Sequence, residues 1–225
     1  MTESEEDSDT SHSETSFSED DGGRISQIMR ALELTEGVQI ARRYLAMNAF
    51  DGALTMLGLI LGGLISMATA SPEVVFEATL LAAVGTSLAM AISGFSGSYL
   101  AESAERDREV EEMGKAMLCD MSQSMYAKAT RTTSAVVAIV DGLSPAIAAI
   151  IVVIPLMIVP FGFLTYYQAF FAAIAICMFL LFVLGLFLGS ISGKSIWVYG
   201  GKTLLAGIVT AILIFFISLV TGASH

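Results

Sequence analysis

The sequence predicts an all-α membrane protein in which five helices cross the bilayer. Of its 225 residues, 55% are hydrophobic and only 15% are charged, which is too little polar surface for a soluble domain of this length. The apolar residues are concentrated in runs about as long as the ~20 residues that a helix needs to cross the ~30 Å hydrocarbon layer. The five predicted spans cover Leu45–Ala70, Val75–Tyr99, Ala135–Val159, Ala169–Ile191 and Thr203–Val220.

The chain is predicted to divide into three parts. Residues 1–23 form a disordered acidic tail, because nine of the 22 acidic residues lie in the first 21 positions. The tail serves either as a solvating segment or as a weak collector of metal ions. Residues 24–43 are predicted to form an amphipathic helix at the membrane surface, and residues 44–222 the membrane domain.

The positive charges predict the orientation of the spans. All 11 Lys and Arg residues precede span one, lie between spans two and three, or lie between spans four and five. The positive-inside rule therefore places the N-terminus and the loop 101–134 in the cytoplasm and the C-terminus outside. No Gly or Pro interrupts the chain between Tyr99 and Met113, so the helix of span two is predicted to continue into the cytoplasm.

Two Asp-Gly pairs lie inside predicted spans, Asp51-Gly52 in span one and Asp141-Gly142 in span three. An aspartate at membrane depth costs at least ~2.5 to 3.5 kcal/mol on insertion scales, so it normally faces a bundle interior or a wet path. We interpret Asp51 as part of a cation pathway. Asp141 either shares that role or hydrogen-bonds a helix break at Pro145. The two matching Asp-Gly pairs indicate that spans one and two are repeated, in parallel orientation, as spans three and four. The alternative is a chance match.

The candidate pore combines these carboxylates with nearby thioether and amide groups. Thioether beside carboxylate suits a borderline ion such as Fe²⁺ better than Mg²⁺ or Ca²⁺, although methionine is also ordinary packing. The candidate pore residues are Asp51, Met90, Met47, Asn48 and Asp141.

The predicted extension of span two carries four glutamates within an arc of about 80°. This face either concentrates metal ions or is a solvated acidic face partly neutralised by Arg106 and Arg108. The four candidate metal ligands, which join Asp51 in that role, are Glu102, Glu105, Glu109 and Glu112. Beyond them a methionine recurs every four residues, which is more typical of a packing seam, within the chain or against a partner subunit, than of a metal site. These methionines are Met113, Met117, Met121 and Met125.

Other functional classes find no support in the residues. The histidines, His12 and His225, lie near the chain ends, so no buried histidine site can be built, and the chain is not predicted to be an enzyme. Cys119 and Cys177 supply neither a disulfide framework nor a CxxC motif. No phosphate-binding glycine loop and no basic groove for nucleic acid is present, and no tightly bound cofactor is expected.

Two motifs resemble the vacuolar iron transporter family, which includes plant vacuolar iron loaders and the yeast vacuolar iron and manganese importer. They are Asn48-Ala-Phe-Asp-Gly-Ala-Leu-Thr55 at the start of span one and Ser93-Gly-Phe-Ser-Gly-Ser-Tyr-Leu-Ala-Glu102 at the end of span two. The resemblance implies a homodimer with a metal path between the first spans, and it carries the family's pore aspartate over to Asp51. The family's span-two methionine aligns with Gly94, one turn from Met90, and its cytoplasmic metal-binding region is shortened here.

The resemblance also implies export of Fe²⁺ or Mn²⁺ from the cytosol in exchange for protons. With the acidic pore residues, it leads us to expect a transporter of divalent transition metal, Fe²⁺ first and Mn²⁺ second. In the expected mechanism the glutamate face concentrates cations, Asp51 binds the ion with methionine and Asn48, and protonation of Asp51 from outside releases it. The alternative is a non-transporting membrane scaffold or sensor whose Met-rich helix docks a partner. The expected location is the plasma membrane in a prokaryote, or a vacuolar-type membrane in a eukaryote.

Overall fold

A computed structural model describes residues 26, 28–33 and 35–222. The predicted acidic tail, residues 1–23, and both histidines lie outside the described residues. The described chain forms five long helices: α1, Gly37–Ser66; α2, Pro72–Met117; α3, Met125–Ile158; α4, Tyr166–Ile191; and α5, Ile196–Gly222. A short 3₁₀ turn, Val159–Phe161, follows α3.

All five helices are long and apolar enough to cross a membrane, which confirms the predicted number of spans. The helices begin earlier than the apolar runs because polar residues can form their first turns. Ser124 caps α3 by accepting a hydrogen bond from the Ala127 amide at 3.1 Å, eleven residues before the predicted span begins at Ala135. Likewise α5 begins at Ile196 instead of Thr203.

The predicted continuation of span two is confirmed, since α2 runs without interruption to Met117. It starts at Pro72, where the missing proline amide costs no hydrogen bond. It ends where Leu118 adopts a left-handed conformation with φ of 54° and the Cys119 amide donates to the Gly114 carbonyl at 3.1 Å.

The predicted helix over residues 24–43 is interrupted. Residues 28–33 are helical, Thr35 and Glu36 form a turn, and α1 begins at Gly37. The Thr35 hydroxyl donates to the Ala31 carbonyl at 2.8 Å and lies 2.7 Å from the Thr133 hydroxyl of α3. Glu36 has φ of 53°, which ends the first helical segment.

The described chain divides into two compact units, and the long helices α2 and α3 contribute residues to both. The first comprises the chain up to Ile40 and residues 99–137; the second comprises residues 41–98 and the chain from Ala138. The core of the second unit joins α1, α3 and α4 through tightly packed side chains. The largest fully buried side chains in it are Phe170, Met56, Leu57, Ile60, Leu156 and Leu181.

Candidate functional site

A cleft of about 440 Å³ opens between α1, α2 and α3 within the second unit. It gathers four of the five candidate pore residues, although they are up to 93 positions apart in the sequence. Its lining consists of Asn48, Asp51, Thr86, Ala89, Met90, Ser93, Gly94, Asp141 and Pro145. The fifth candidate, Met47, is 55% exposed and does not line the cleft.

The glycines that follow the two aspartates bring the three helices together. A Cβ on Gly52 would lie 2.7 Å from both the Cα and the carbonyl oxygen of Pro145. A Cβ on Gly142 would lie 2.7 Å from the Ala91 carbonyl oxygen and 2.8 Å from the Phe95 amide nitrogen. Each glycine therefore admits a neighbouring backbone, and these contacts set both aspartates at the same cleft.

Asp141 is nearly inaccessible, with 6% of its surface exposed. The Ser98 hydroxyl donates a hydrogen bond to Asp141 Oδ2, whereas Asp141 Oδ1 is buried and has no hydrogen-bond partner among the described residues. Pro145 lacks the amide that would bond the Asp141 carbonyl, but α3 continues through Pro145 without a break. The predicted helix break is therefore absent from α3, and the Asp141 side chain bonds to Ser98 of α2 instead. The Ser144 hydroxyl donates to the Val140 carbonyl.

Asp51 contrasts with Asp141, because its side chain is exposed. Asn48, Met90 and Thr86 are half-buried around it in the cleft. The cleft thus offers carboxylate, amide, hydroxyl and thioether donors, and the described residues that line it include no Lys or Arg.

Sequence reasoning missed Ser93 and Ser98 as members or neighbours of the site. Both belong to the small, polar run at the end of span two, where they lie five residues apart on α2. The available signal was the density of serine inside an apolar span, where each hydroxyl requires a hydrogen-bond partner.

The four glutamates of the α2 extension differ in their surroundings. The Arg106 guanidinium lies between two of them, with Nη1 donating to Glu109 Oε2 at 3.0 Å and Nε 3.7 Å from Glu102 Oε2. Tyr126 of α3 donates to the other oxygen of Glu109 at 3.0 Å. Because the side chains of Arg106 and Glu102 are only 13% and 9% exposed, this group is a part-buried ion-pair cluster.

The exposed charges of the extension are paired along the helix. Arg108 Nε donates to Glu112 Oε1 at 2.8 Å, and Lys115 Nζ lies 2.7 Å from Glu111 Oε1. The hydrogen bond to Glu112 raises the pKa of Arg108, and the hydrogen bond from Lys115 lowers the pKa of Glu111. The pairs made by Arg106 and Arg108 favour an acidic face that is partly neutralised, whereas Lys115 pairs with Glu111, outside the four-glutamate face.

No group of three or more His, Cys, Asp or Glu side chains within the described residues is close enough to hold a metal ion. Glu105 is exposed, and Glu102 is buried. The four glutamates therefore do not form a ready metal site in this conformation, and their role in collecting metal stays a prediction.

The methionine seam predicted beyond the glutamates is not formed within the described chain. Met113 and Met117 lie on the last turns of α2, Met121 lies in the connection, and Met125 begins α3. The left-handed Leu118 breaks the helical spacing on which the seam depends. Met117 and Met125 are 61% and 79% exposed, so these two side chains are not packed within the chain, and a seam against a partner subunit stays a prediction.

Among curated proteins, the chain is similar to Uncharacterized protein MJ0645 of Methanocaldococcus jannaschii. The two are 29% identical over 198 residues, which cover 86% of this chain and 97% of the relative. No protein-family model and no solved structure matches the chain. The similarity thus extends over nearly all of the archaeal relative, whose name assigns no activity.

Proposed function

We propose that the chain moves divalent transition metal, Fe²⁺ first and Mn²⁺ second, out of the cytosol in exchange for protons. The observation that supports this most is the cleft between α1, α2 and α3, where Asn48, Asp51, Met90 and Asp141 meet. Two carboxylates without a basic residue in the lining favour a cation, particularly at membrane depth where solvation by water is limited.

In this proposal Asp51 takes the ion from the cytosolic side, because its exposed carboxylate is the accessible acid of the cleft. Met90 and Asn48 complete its surroundings. Protonation of Asp51 from the outer side then releases the ion. The glutamates of the α2 extension raise the local cation concentration. Glu105 is exposed, whereas Glu102 is buried and Glu109 is half-buried.

The proposed assembly is a homodimer with its N-termini in the cytoplasm. The resemblance of the Asp51 and Ser93–Glu102 motifs to vacuolar iron transporters supports this arrangement. The chain would then act in the plasma membrane of a prokaryote or the vacuolar-type membrane of a eukaryote.

The test is flux through the purified wild-type chain in sealed liposomes. We expect entry of Fe²⁺ and Mn²⁺ to exceed entry of Mg²⁺, and to fall when a protonophore collapses an imposed pH gradient. Empty liposomes report leakage. No flux of any of the three ions from folded, correctly oriented protein would reject transport and favour the scaffold or sensor.

A further inference from the structure

The Asp141 carboxylate has one oxygen available to bind a cation. One carboxylate oxygen accepts a hydrogen bond from Ser98, and the other is buried without a partner among the described residues. A buried polar oxygen without a partner destabilises the folded state, and more so when it is charged. Since the residue lines the cleft and is 6% exposed, a bound cation would satisfy this oxygen.

The second carboxylate of the same cleft provides the complementary ligand. Asp51 is exposed where Asp141 is buried, so an ion could contact Asp51 on entry and Asp141 deeper in the cleft. With no Lys or Arg among the described lining residues, the lining supplies no positive charge to balance the two carboxylates, so a bound cation or protons must neutralise them.

We propose that Asp141 Oδ1 and the Asp51 carboxylate together bind one divalent cation within a single chain, and that Ser98 is the positioning residue for Asp141. This inference rests on the proposed function for the identity of the cleft as a metal path. It adds a ligand from α3 and a hydroxyl on α2 that orients this ligand.

The donor set indicates which cations would bind. Two carboxylates, the Asn48 amide and the Ser93 hydroxyl are oxygen donors, and Met90 is the one sulfur donor in the lining. Oxygen-rich sites suit Mn²⁺ and Fe²⁺, whereas Cu⁺ and Zn²⁺ are favoured by thiolate and imidazole. We expect Mn²⁺ to bind and Cu⁺ to compete poorly.

The site is tested by Mn²⁺ binding to the full chain in lipid nanodiscs, measured by the loss of the paramagnetic signal of free Mn²⁺. We expect Asp51→Asn and Asp141→Asn each to abolish saturable binding. Ser98→Ala is expected to weaken binding by roughly tenfold, the usual effect of removing a group that orients a metal ligand. Ser96→Ala is the matched control, because the Ser96 hydroxyl donates to the Ile92 carbonyl of its own helix and should leave binding unchanged.

Unchanged Mn²⁺ affinity in folded Asp141→Asn and Ser98→Ala would overturn the proposal, as would equal losses in Ser98→Ala and Ser96→Ala. If Asp141→Asn fails to fold, the comparison of the two serine variants decides. Binding is measured without transport, so the two proposals fail separately. Asp141-dependent binding by a chain that moves no metal would defeat only the transport function, and transport with Asp141-independent binding would defeat only the site.

Discussion

The backbones of α2 and α3 meet at Gly94 and Gly142, where a Cβ on Gly94 would lie 2.9 Å from the Gly142 Cα. This contact sits directly beside Asp141 and four residues before Ser98. The close approach of the two helices therefore allows the Ser98 hydroxyl to reach the Asp141 carboxylate across the helix interface.

Replacing Gly142 by alanine should separate α2 from α3. The added methyl group would meet the Ala91 carbonyl and the Phe95 amide, which belong to backbone and cannot rotate away. We expect a loss of about 1 to 3 kcal/mol, the usual cost of overpacking, seen as a lower thermal unfolding temperature in detergent.

Gly97→Ala is the matched control for Gly142→Ala, because a Cβ at Gly97 meets nothing within 4 Å. Alanine favours a helix over glycine by roughly 0.5 to 1 kcal/mol, so this variant should be as stable as the wild type or more so. Equal destabilisation of both variants would contradict the role assigned to the α2–α3 contact.

Arg106→Ala should destabilise the α2 extension far more than Arg108→Ala. Arg106 neutralises the buried Glu102 and the half-buried Glu109, and its removal takes the positive charge away from two poorly solvated carboxylates at a cost of roughly 3 kcal/mol. The Arg108 pair with Glu112 is exposed, so its loss should have little effect. Faster limited proteolysis of residues 99–137 in Arg106→Ala alone would verify this difference.

Tyr126 should make the free energy of unfolding of the α2 extension fall at alkaline pH. Burial, and then the hydrogen bond to Glu109, raise the pKa of the Tyr126 phenol. Because the folded pKa exceeds the unfolded value of about 10, this stabilisation is complete below that pH and is lost as the pH rises through the folded pKa.

In Tyr126→Phe we expect a loss of about 1 kcal/mol at neutral pH and a shallower fall in stability at alkaline pH. Tyr167→Phe, a change at an exposed tyrosine of α4, serves as the control. Identical alkaline unfolding of the wild type and Tyr126→Phe would show that the Glu109 contact does not matter.

Hydropathy was sufficient to predict five spans, and local chemistry was sufficient to select the two aspartates that line the cleft. Apolar runs of adequate length define membrane helices, and an intramembrane Asp-Gly pair indicates both a functional group and a close helix contact. The internal repeat drawn from those pairs stays a prediction. The contacts of Gly52 and Gly142 nevertheless follow the same principle, since each glycine packs against the backbone of a neighbouring helix.

The surroundings of the glutamates and methionines depend on contacts between residues that helical spacing alone does not predict. Counting at 100° per residue places Glu102 and Glu109 on one face, but it does not reveal that Arg106 lies between them or that Tyr126 reaches them from α3. The four methionines do not lie along one helix, because Leu118, a residue that rarely adopts positive φ, ends α2. Met47 is 55% exposed and does not line the cleft, so its place in the pore stays a prediction.

The most direct test of the account compares Asp51→Ala with Glu77→Ala in sealed liposomes, measuring Mn²⁺ entry under an imposed pH gradient. Both positions are exposed acids in apolar helices, but only Asp51 lines the cleft. We predict that Asp51→Ala abolishes flux while retaining its helical content, and that Glu77→Ala transports as the wild type does. Full flux through folded Asp51→Ala would contradict the claim that the metal passes through this cleft.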